Sequence, residues 1–516
     1  MTPLRAAFDR ASLAFAAVLI VMTAVRIYAL FLNPIGLGVD EAQYWAWAQT
    51  FDWGYYTKPP MIAWVIGATT AVFGDAEWAV RLGAPLAHAV AATAIYLLGR
   101  STYGAWPGFW AALGWLMLPG VFFSSSLIST DAVLLPLWSI ALFASWRLMN
   151  TRAMVWAVVI GVFLGLGVLA KYAMLYFVVC TALAAWWLEP MRQALAQGRG
   201  VVAGLVAAAI VTPNLVWNAQ NGFATVRHTG SNASLNLDDM FHLDELFEFI
   251  GGQAGIFGPV LFFAVLWLVW RALRRGETLP QQDKFLFAYM LPPFVFISLI
   301  AFVSRANANW AAVAYPAIIV WLSGVLFASR AGRRVLLGAT AVNIVMGLAV
   351  AYVMIHEPAM AMSIKNVRNA TGWSETAQQI APRARAQPGE APFTAVMVDD
   401  RDLYFELNYY WRDLRRAGEP LPPLRMWLLL GEAHNSAEQR DPMRVEEGAR
   451  VLVVHQRRDY LPFVAGDFTA FRTVEHVSVP LSADVTRELE MSVGEGFAPA
   501  ARDEAFMERL HRRREQ

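Results

Sequence analysis

Long apolar stretches separated by short polar segments fill residues 1–356. The first stretch, residues 11–32, follows Arg5 and Arg10. It is longer than the apolar core of a signal peptide, and no small-residue cleavage site follows it. It therefore predicts a retained membrane span. Ten more stretches follow, at about residues 81–98, 105–123, 132–148, 153–170, 173–188, 201–217, 251–270, 285–303, 310–328 and 335–355. Since a transmembrane helix needs about 20 mostly apolar residues, the pattern predicts about eleven transmembrane helices.

The loop after the first span, residues 33–80, is long and partly apolar. It predicts a short helix at about residues 41–50, rich in Tyr and Trp, and a second apolar piece at residues 61–73 that follows Pro59-Pro60. The second piece is too short to span the bilayer, which indicates a re-entrant or interfacial segment. We therefore expect a lid of interfacial helices over a cavity at membrane level.

The pattern changes after residue 356, where apolar runs shorten and charges become common. This predicts two domains, a membrane domain at residues 1–356 and a small soluble α/β domain at residues 357–516. Its expected elements are strands at residues 394–398, 450–455 and 470–479 and helices at residues 372–380, 400–411 and 501–514. The run Asp399-Asp400-Arg401-Asp402 superficially resembles a metal-binding motif but is interpreted as a helix start. Acceptor recruitment, or covering of the cavity, is the role expected for this domain.

Composition narrows the class of protein. Of 516 residues, 57% are hydrophobic and 16% are charged, with mean hydropathy +0.42, which excludes an ordinary soluble enzyme. Lys and Arg number 41 against 40 Asp and Glu, so neither a disordered chain nor a nucleic-acid-binding protein is expected. Cys180 is the single cysteine, which excludes an intrachain disulfide and a cysteine-rich metal site.

The distribution of positive charge predicts the orientation. With a cytoplasmic N-terminus, fourteen cations lie in inner segments: Arg5, Arg10, Arg100, Arg147, Arg152, Arg192, Arg199, Arg271, Arg274, Arg275, Lys284, Arg330, Arg333 and Arg334. Five lie in outer segments: Lys58, Arg81, Lys171, Arg227 and Arg305. The C-terminal domain is therefore expected in a periplasm-like space. The five outer cations either converge on an anion or are scattered surface charges.

Candidate chemistry lies in the first outer loop. Asp40 and Glu41 are the candidate catalytic carboxylates, because a carboxylate at the mouth of an apolar cavity can act as a general base. Lys58 offers a point charge suited to a phosphate. The alternatives stay open: Asp40 as a helix cap only, and Lys58 as a lysine that reaches lipid headgroups. Asp131 and Lys171 lie at predicted membrane borders, where ionisable residues are costly and tend to be functional.

Several strings together resemble glycosyltransferase family 39, a family of polytopic transferases of the GT-C fold class. The first outer loop carries Asp40-Glu41-Ala42-Gln43-Tyr44-Trp45 and Gly54-Tyr55-Tyr56-Thr57-Lys58-Pro59-Pro60. Weaker matches are Ser129-Thr130-Asp131-Ala132, Ala170-Lys171-Tyr172, Trp217-Asn218-Ala219-Gln220 and Asn309-Trp310. Bacterial members include the lipid A aminoarabinose transferase and core galacturonosyltransferases.

The resemblance implies a polyprenyl-phosphate–sugar donor and a glycolipid or glycan acceptor, such as lipid A or core, on the periplasmic side of a bacterial inner membrane. It implies that Asp40 activates the acceptor and that Lys58 binds the donor phosphate. The remaining substrate-binding residues implied by position are Tyr55, Tyr56, Asp131, Lys171, Tyr172, Arg227, Arg305 and Asn309. Relatives often carry an acid before the lysine, where this chain has Thr57, so a second acidic role there is not expected.

The expected reaction is a hexosyl or pentosyl transfer that inverts the anomeric carbon, by analogy with inverting glycosidases. The scheme requires no cofactor, and a divalent metal stays an open alternative that nothing in the sequence supports. Membrane lipids are expected partners and nucleic acid is not. A transporter or flippase of lipid-linked sugars is the alternative, since polytopic chains with buried charges often transport.

Overall fold

A computed structural model describes residues 9–231, 241–275, 278–385 and 389–515. Arg5, one of the fourteen predicted inner cations, lies outside the described residues. The first thirteen helices are α1 (Arg10–Phe31), α2 (Val39–Ala48), α3 (Met61–Phe73), α4 (Glu77–Arg81), α5 (Gly83–Tyr103), α6 (Ala105–Leu116), α7 (Pro119–Ser124), α8 (Thr130–Thr151), α9 (Met154–Ala170), α10 (Tyr176–Trp187), α11 (Glu189–Leu195), α12 (Arg199–Gln220) and α13 (Ala224–Ser231).

The remaining helices run from the second half of the apolar region to the C-terminus. They are α14 (Leu243–Phe257), α15 (Pro259–Arg275), α16 (Gln281–Val303), α17 (Tyr315–Phe327), α18 (Arg330–His356), α19 (Pro358–Ser363), α20 (Lys365–Ala370), α21 (Trp373–Ala384), α22 (Arg401–Tyr410), α23 (Arg412–Arg416), α24 (Ser436–Arg440), α25 (Leu461–Ala465) and α26 (Glu504–Glu515). Short 3-10 helices cover Tyr172–Leu175, Ala308–Ala314, Val445–Glu447 and Arg458–Tyr460.

The chain divides into two compact units. The helical unit comprises Met1–Asn33 and Phe51–Tyr352, and the C-terminal unit comprises Pro34–Thr50 and Val353–Gln516. The predicted border follows residue 356 and leaves the whole first outer loop in the membrane domain. In the structure, the part of that loop from Pro34 to Thr50 carries α2 and belongs to the C-terminal unit.

Within the described residues, seven helices are long and apolar enough to cross a membrane, against the eleven expected. They are Arg10–Phe31, Glu77–Tyr103, Thr130–Thr151, Arg199–Gln220, Gln281–Val303, Ala308–Phe327 and Arg330–His356. An eighth candidate is the pair α14 and α15, and α3, α9 and α10 are shorter apolar helices.

Two predicted straight spans are broken. The stretch at residues 251–270 bends by 116° between α14 and α15. Gly258, at the bend, has φ +88°, and a Cβ there would lie 2.1 Å from Oδ1 of Asn343, so only glycine fits this turn. The stretch at residues 105–123 is interrupted between α6 and α7, where Pro119 disfavours helical backbone in the residue before it.

The short apolar piece of the first outer loop forms α3 with the predicted bounds, Met61–Phe73. It follows Pro59-Pro60 and ends at Gly74, whose φ is +78°. Helix α2 covers Val39–Ala48 and begins two residues before the predicted start.

The C-terminal unit contains a five-stranded mixed sheet. The strands are β1 (Ala395–Val398), β2 (Leu424–Met426), β3 (Arg450–His455), β4 (Phe468–Pro480) and β5 (Thr486–Phe497), in the order β2-β1-β3-β5-β4. Strand β1 pairs in parallel with β2 and β3, and β5 pairs antiparallel with β3 and β4. The predicted α/β class and three of the strands are confirmed, whereas β2 and β5 were missed.

The sheet buries both faces of its central strands. All four residues of β1 are buried, and five of the six in β3. One face contributes to a core with Trp427, Val464, Phe468 and Phe497. Such two-sided burial explains why β1 and β3 appear in the sequence as short continuous apolar runs.

Asp399 follows β1 and is 7% exposed. Its Oδ1 accepts a hydrogen bond from the Gln456 N–H at 3.3 Å. Burial raises the pKa of the Asp399 carboxyl to about 7, and the neighbouring charge of Asp400 adds to this. The folded chain therefore binds a proton here between about pH 4 and pH 7 that the unfolded chain releases.

We predict that the substitution Asp399→Asn stabilises the C-terminal unit at pH 8 and has little effect at about pH 4. The folded-state pKa lies above the unfolded value, so the wild-type chain loses stability as pH rises from about 4 to 7, by up to about 4 kcal/mol. Hydrogen–deuterium exchange of the β1 and β3 amides, compared between wild type and variant at the same pH, measures this. An equal difference at both pH values would contradict the prediction.

Candidate active site

The segment Asp52–Pro60, which carries Lys58, is fastened to two helices of its own unit. The Asn214 side chain on α12 donates from Nδ2 to the Trp53 carbonyl at 2.7 Å. The Thr225 hydroxyl on α13 donates to the Tyr55 carbonyl at 2.7 Å. Both donors are fully buried, so the backbone of this irregular segment obtains partners from protein side chains.

Gly54 allows the segment to lie close to α12. A Cβ at Gly54 would be 2.4 Å from the indole ring of Trp217 and 3.0 Å from Nδ2 of Asn214. Any larger residue would therefore push the segment off α12. This contact explains why glycine stands in the first-loop motif and links it to the Trp217-Asn218 motif.

Inside the segment the backbone turns tightly around the candidate lysine. The Tyr55 N–H donates to the Lys58 carbonyl at 3.2 Å, and the Asp52 N–H donates to the Tyr55 hydroxyl at 3.0 Å. Tyr55 is buried, whereas Tyr56 and Lys58 are half-buried. Lys58 thus has a fixed backbone and a side chain at the border between protein and surroundings.

A second polar group joins three elements of the helical unit. The Lys171 ammonium, after α9, lies 2.7 Å from Oδ1 of Asp131 at the start of α8. Asn309, in a 3-10 helix, donates from Nδ2 to the other oxygen of Asp131 at 2.7 Å. The lysine and aspartate side chains are 24% and 16% exposed, so the charges neutralise each other in a largely buried position.

Tyr172 connects to the same helix that fastens the first segment. Its hydroxyl donates to Oδ1 of Asn214 at 3.2 Å and accepts from Nδ2 of Asn218 at 3.3 Å. Asn214 therefore bonds both to Tyr172 and to the segment that carries Lys58. The structure thus joins Tyr55, Lys58 and Tyr172 in one hydrogen-bond network. Tyr172 directly follows Lys171, the cation of the Lys171–Asp131 pair, in the sequence.

Two predicted substrate-binding cations lie apart from this network. Arg227 is exposed on α13, two residues after Thr225, and Arg305 is exposed in the loop after α16. Within the described part of the chain, neither donates a side-chain hydrogen bond to the residues above. Their predicted convergence on one anion stays a prediction.

Asp40 belongs to the C-terminal unit, where it occupies the second position of α2. Its Oδ1 forms an ion pair with a guanidinium nitrogen of Arg401, the first residue of α22. The interpretation of Asp40 as a cap of α2 is wrong, because Gly38 is the N-cap residue. A carboxylate in this first turn still interacts favourably with the helix dipole.

Glu41, the other candidate carboxylate, caps α2 instead. Its Oε2 accepts a hydrogen bond from the Gly38 N–H at 3.0 Å, and the residue is 5% exposed. This contact is one half of a capping box, because Gly38 has no side chain to bond in return. Of the two carboxylates, Asp40 is the exposed one, at 62% of its side chain, and is therefore the better placed for chemistry.

Three residues that shape these groups were not predicted from the sequence. Asn214 and Thr225 hold the segment around Lys58, and Arg401 pairs with Asp40. Asn214 and Asn218 lie one helical turn apart in an otherwise apolar helix. This spacing is a sequence signal that could have indicated Asn214. Arg401 had no such signal, because its partner lies 361 positions away.

Comparison with known proteins identifies the family. Residues 57–217 match the family described as dolichyl-phosphate-mannose-protein mannosyltransferase. The chain is 34% identical over 399 residues to the lipid A galacturonosyltransferase RgtD of Rhizobium johnstonii, a match that covers 75% of this chain and 80% of RgtD.

Solved structures show the same fold. The crystal structure of ArnT from Cupriavidus metallidurans in the apo state has a TM-score of 0.59 at 16% identity, covering 93% of this chain and 97% of that chain. The structure of the same protein bound to undecaprenyl phosphate has a TM-score of 0.60, covering 95% and 98%.

The structural match to ArnT, at 16% identity, shows the fold alone. The 34% identity to RgtD over 75% of this chain shows the family. The chain therefore belongs to glycosyltransferase family 39, and is a multi-pass membrane protein of the GT-C fold.

Proposed function

We propose that this protein transfers galacturonic acid from a polyprenyl-phosphate donor to lipid A. The observation that carries the proposal is the likeness to a lipid A galacturonosyltransferase over most of both chains. The related fold of ArnT, which was solved with undecaprenyl phosphate, supports a lipid-linked donor. Membership in a transferase family favours an enzyme over the transporter kept open above.

The proposed enzyme lies in the bacterial inner membrane with a cytoplasmic N-terminus and a periplasmic C-terminal unit. The excess of fourteen inner over five outer cations supports this orientation. Eleven crossings result if α9, α10, α15 and the broken α6–α7 pair cross together with the seven long helices. An odd number of crossings is consistent with termini on opposite sides.

In the proposed reaction the Asp40 carboxylate accepts the proton of the acceptor hydroxyl. The acceptor oxygen forms a bond to the anomeric carbon while the bond from that carbon to the phosphate oxygen breaks. The electron pair of the broken bond leaves with the lipid phosphate, whose charge increases. A single displacement of this kind inverts the anomeric centre.

Lys58 stabilises the leaving phosphate. An ammonium fixed at the leaving oxygen lowers the energy of the charge that develops there. The fastened backbone that precedes Lys58 supports this role, since a preorganised cation needs no rearrangement during the reaction. Tyr55, Tyr56, Tyr172 and the outer arginines Arg227 and Arg305 are further candidates for contact with the donor.

Lys171 has a different role in this proposal. Its ammonium already pairs with Asp131, so it holds the ends of α8 and α9 together. Asn309 completes the pair by binding the second carboxylate oxygen. The pair thus positions the helix ends that support Tyr172, while Lys58 serves the phosphate.

Deletion of the gene is expected to remove one galacturonic acid residue from lipid A, as measured by mass spectrometry of envelope glycolipids. Restoration by the wild-type gene, but not by the variant Asp40→Asn, is predicted, because an amide cannot accept the acceptor proton. Lipid A that is unchanged by the deletion would contradict the proposed acceptor or sugar. Full restoration by Asp40→Asn would contradict the assigned base.

The variant Lys58→Met should raise the apparent KM for the donor or lower kcat by about 10- to 100-fold, since a charge-assisted hydrogen bond contributes about 1.5–3 kcal/mol. Methionine keeps the length of the side chain and removes its charge. Lys284→Met is the matched control, because Lys284 lies at the start of α16 over the Trp187 ring. Equal kinetics of both variants would indicate that Lys58 only reaches lipid headgroups.

The variant Lys171→Met is expected to lower the free energy of unfolding by about 2 kcal/mol, because it leaves the largely buried Asp131 carboxylate without its cation. Adding Asp131→Asn should recover most of this loss. Thermal unfolding of the detergent-solubilised protein measures both effects. A double variant no more stable than the single one would rule out mutual neutralisation as the role of the pair.

A further inference from the structure

The run Asp399–Asp402 joins β1 to α22 and has no part in the reaction described so far. Two of its carboxylates hold the local backbone. Asp399 accepts from the Gln456 N–H, and Asp400 accepts from the Asp402 N–H at 2.7 Å as the N-cap of α22. Asp400 also pairs with Arg457 at 2.6 Å, with its own side chain only 9% exposed. The start of α22 is therefore firmly placed.

Arg401 follows this fixed point and turns toward α2. Its guanidinium forms the ion pair with Oδ1 of Asp40, and its side chain is 31% exposed. An ion pair of this exposure contributes little to stability, about 0–1 kcal/mol. Stability alone therefore gives no strong reason for the pair.

The helix that carries Asp40 is held against the C-terminal residues by contacts of its own. The Trp45 ring packs edge-on against the Tyr409 ring, with centroids 5.0 Å apart. Trp47 donates from Nε1 to the Ser436 hydroxyl at 2.9 Å. Arg440 donates to the Ala46 carbonyl at 2.8 Å. These buried contacts fix α2, so Arg401 determines only where the Asp40 carboxylate points.

The carboxylates of Asp40, Asp400 and Asp402 interact electrostatically around Arg401. Burial raises the pKa of the Asp402 carboxyl, and the charges of Asp400 and Asp40 act in the same direction, while Arg401 opposes them. Without the Arg401 guanidinium, Asp40 would lose its own cation beside these carboxylates, because Arg457 pairs with Asp400. Repulsion would then turn its side chain away from α22.

Across the described ranges no three His, Cys, Asp or Glu side chains are arranged to hold a metal ion. Asp399 and Asp400 each accept the hydrogen bonds given above. The arginine in the middle of the run is the side chain that reaches out of it.

We propose that Arg401 is a positioning residue through which the C-terminal unit takes part in sugar transfer. The inference rests on the proposed function, with Asp40 as the base. Arg401 binds Oδ1 of Asp40 and so directs Oδ2 toward the acceptor hydroxyl. The proton passes from that hydroxyl to Asp40, and Arg401 exchanges no proton and forms no covalent bond.

The test compares Arg401→Met and Arg401→Lys with wild type and with the control Arg383→Met. Arg383 lies in the same unit and forms an ion pair of similar exposure with Glu475. The full-length protein in detergent is assayed with undecaprenyl phosphate–galacturonic acid and lipid A, and kcat and the donor KM are measured. Thermal unfolding is measured on every variant.

The expected result for Arg401→Met is a kcat about 10- to 100-fold lower with an unchanged donor KM, since a misplaced catalytic group costs up to about 100-fold. Arg401→Lys keeps the charge and should recover part of the rate. Arg383→Met should match wild type. A merely structural role would lower the unfolding temperature and leave the kcat of the folded protein intact.

Two outcomes would overturn the inference. One is a kcat for Arg401→Met equal to that of Arg383→Met. The other is a higher kcat, which would show that the ion pair restrains Asp40 instead of aiming it. Absence of transfer by the wild-type protein would instead contradict the proposed function, so the two failures are distinguishable.

Discussion

Irregular backbone packed against buried helices needs hydrogen-bond partners from the protein itself, and the segment around Lys58 depends on this constraint. Asn214 and Thr225 supply the partners from within two helices, and Gly54 lets the backbone come close enough to use them. The rest of the polar network follows from the same helix, since Asn214 also accepts from Tyr172. A lysine on an unsupported loop would have neither a fixed position nor a reason to be half-buried.

The C-terminal unit applies a similar constraint to the candidate base. Asp40 sits on a ten-residue helix, too short to be stable alone in water. Packing against α22 and α24 gives this helix its stability, and Arg401 gives the carboxylate a direction. In the proposed function the C-terminal unit thus holds and directs the candidate base.

Features set by local sequence were predictable. The bounds of α3 followed from Pro59-Pro60 and the length of the apolar run, and β1 and β3 followed from short apolar runs. Features set by distant contacts were not. The bend at Gly258 depends on Asn343, and the capping of α2 fell to Glu41 instead of Asp40. The pairing of Lys171 with Asp131 was likewise invisible, although both residues were singled out separately.

The account depends most on Asp40 and Lys58 acting on opposite sides of one sugar–phosphate bond. The most direct measurement is an electron cryomicroscopy structure of the full-length protein with bound polyprenyl phosphate. We predict a phosphate oxygen within hydrogen-bond distance of the Lys58 ammonium, with the Asp40 carboxylate facing the position of the missing sugar. A phosphate bound elsewhere, or a carboxylate that faces a space unconnected with it, would contradict the account.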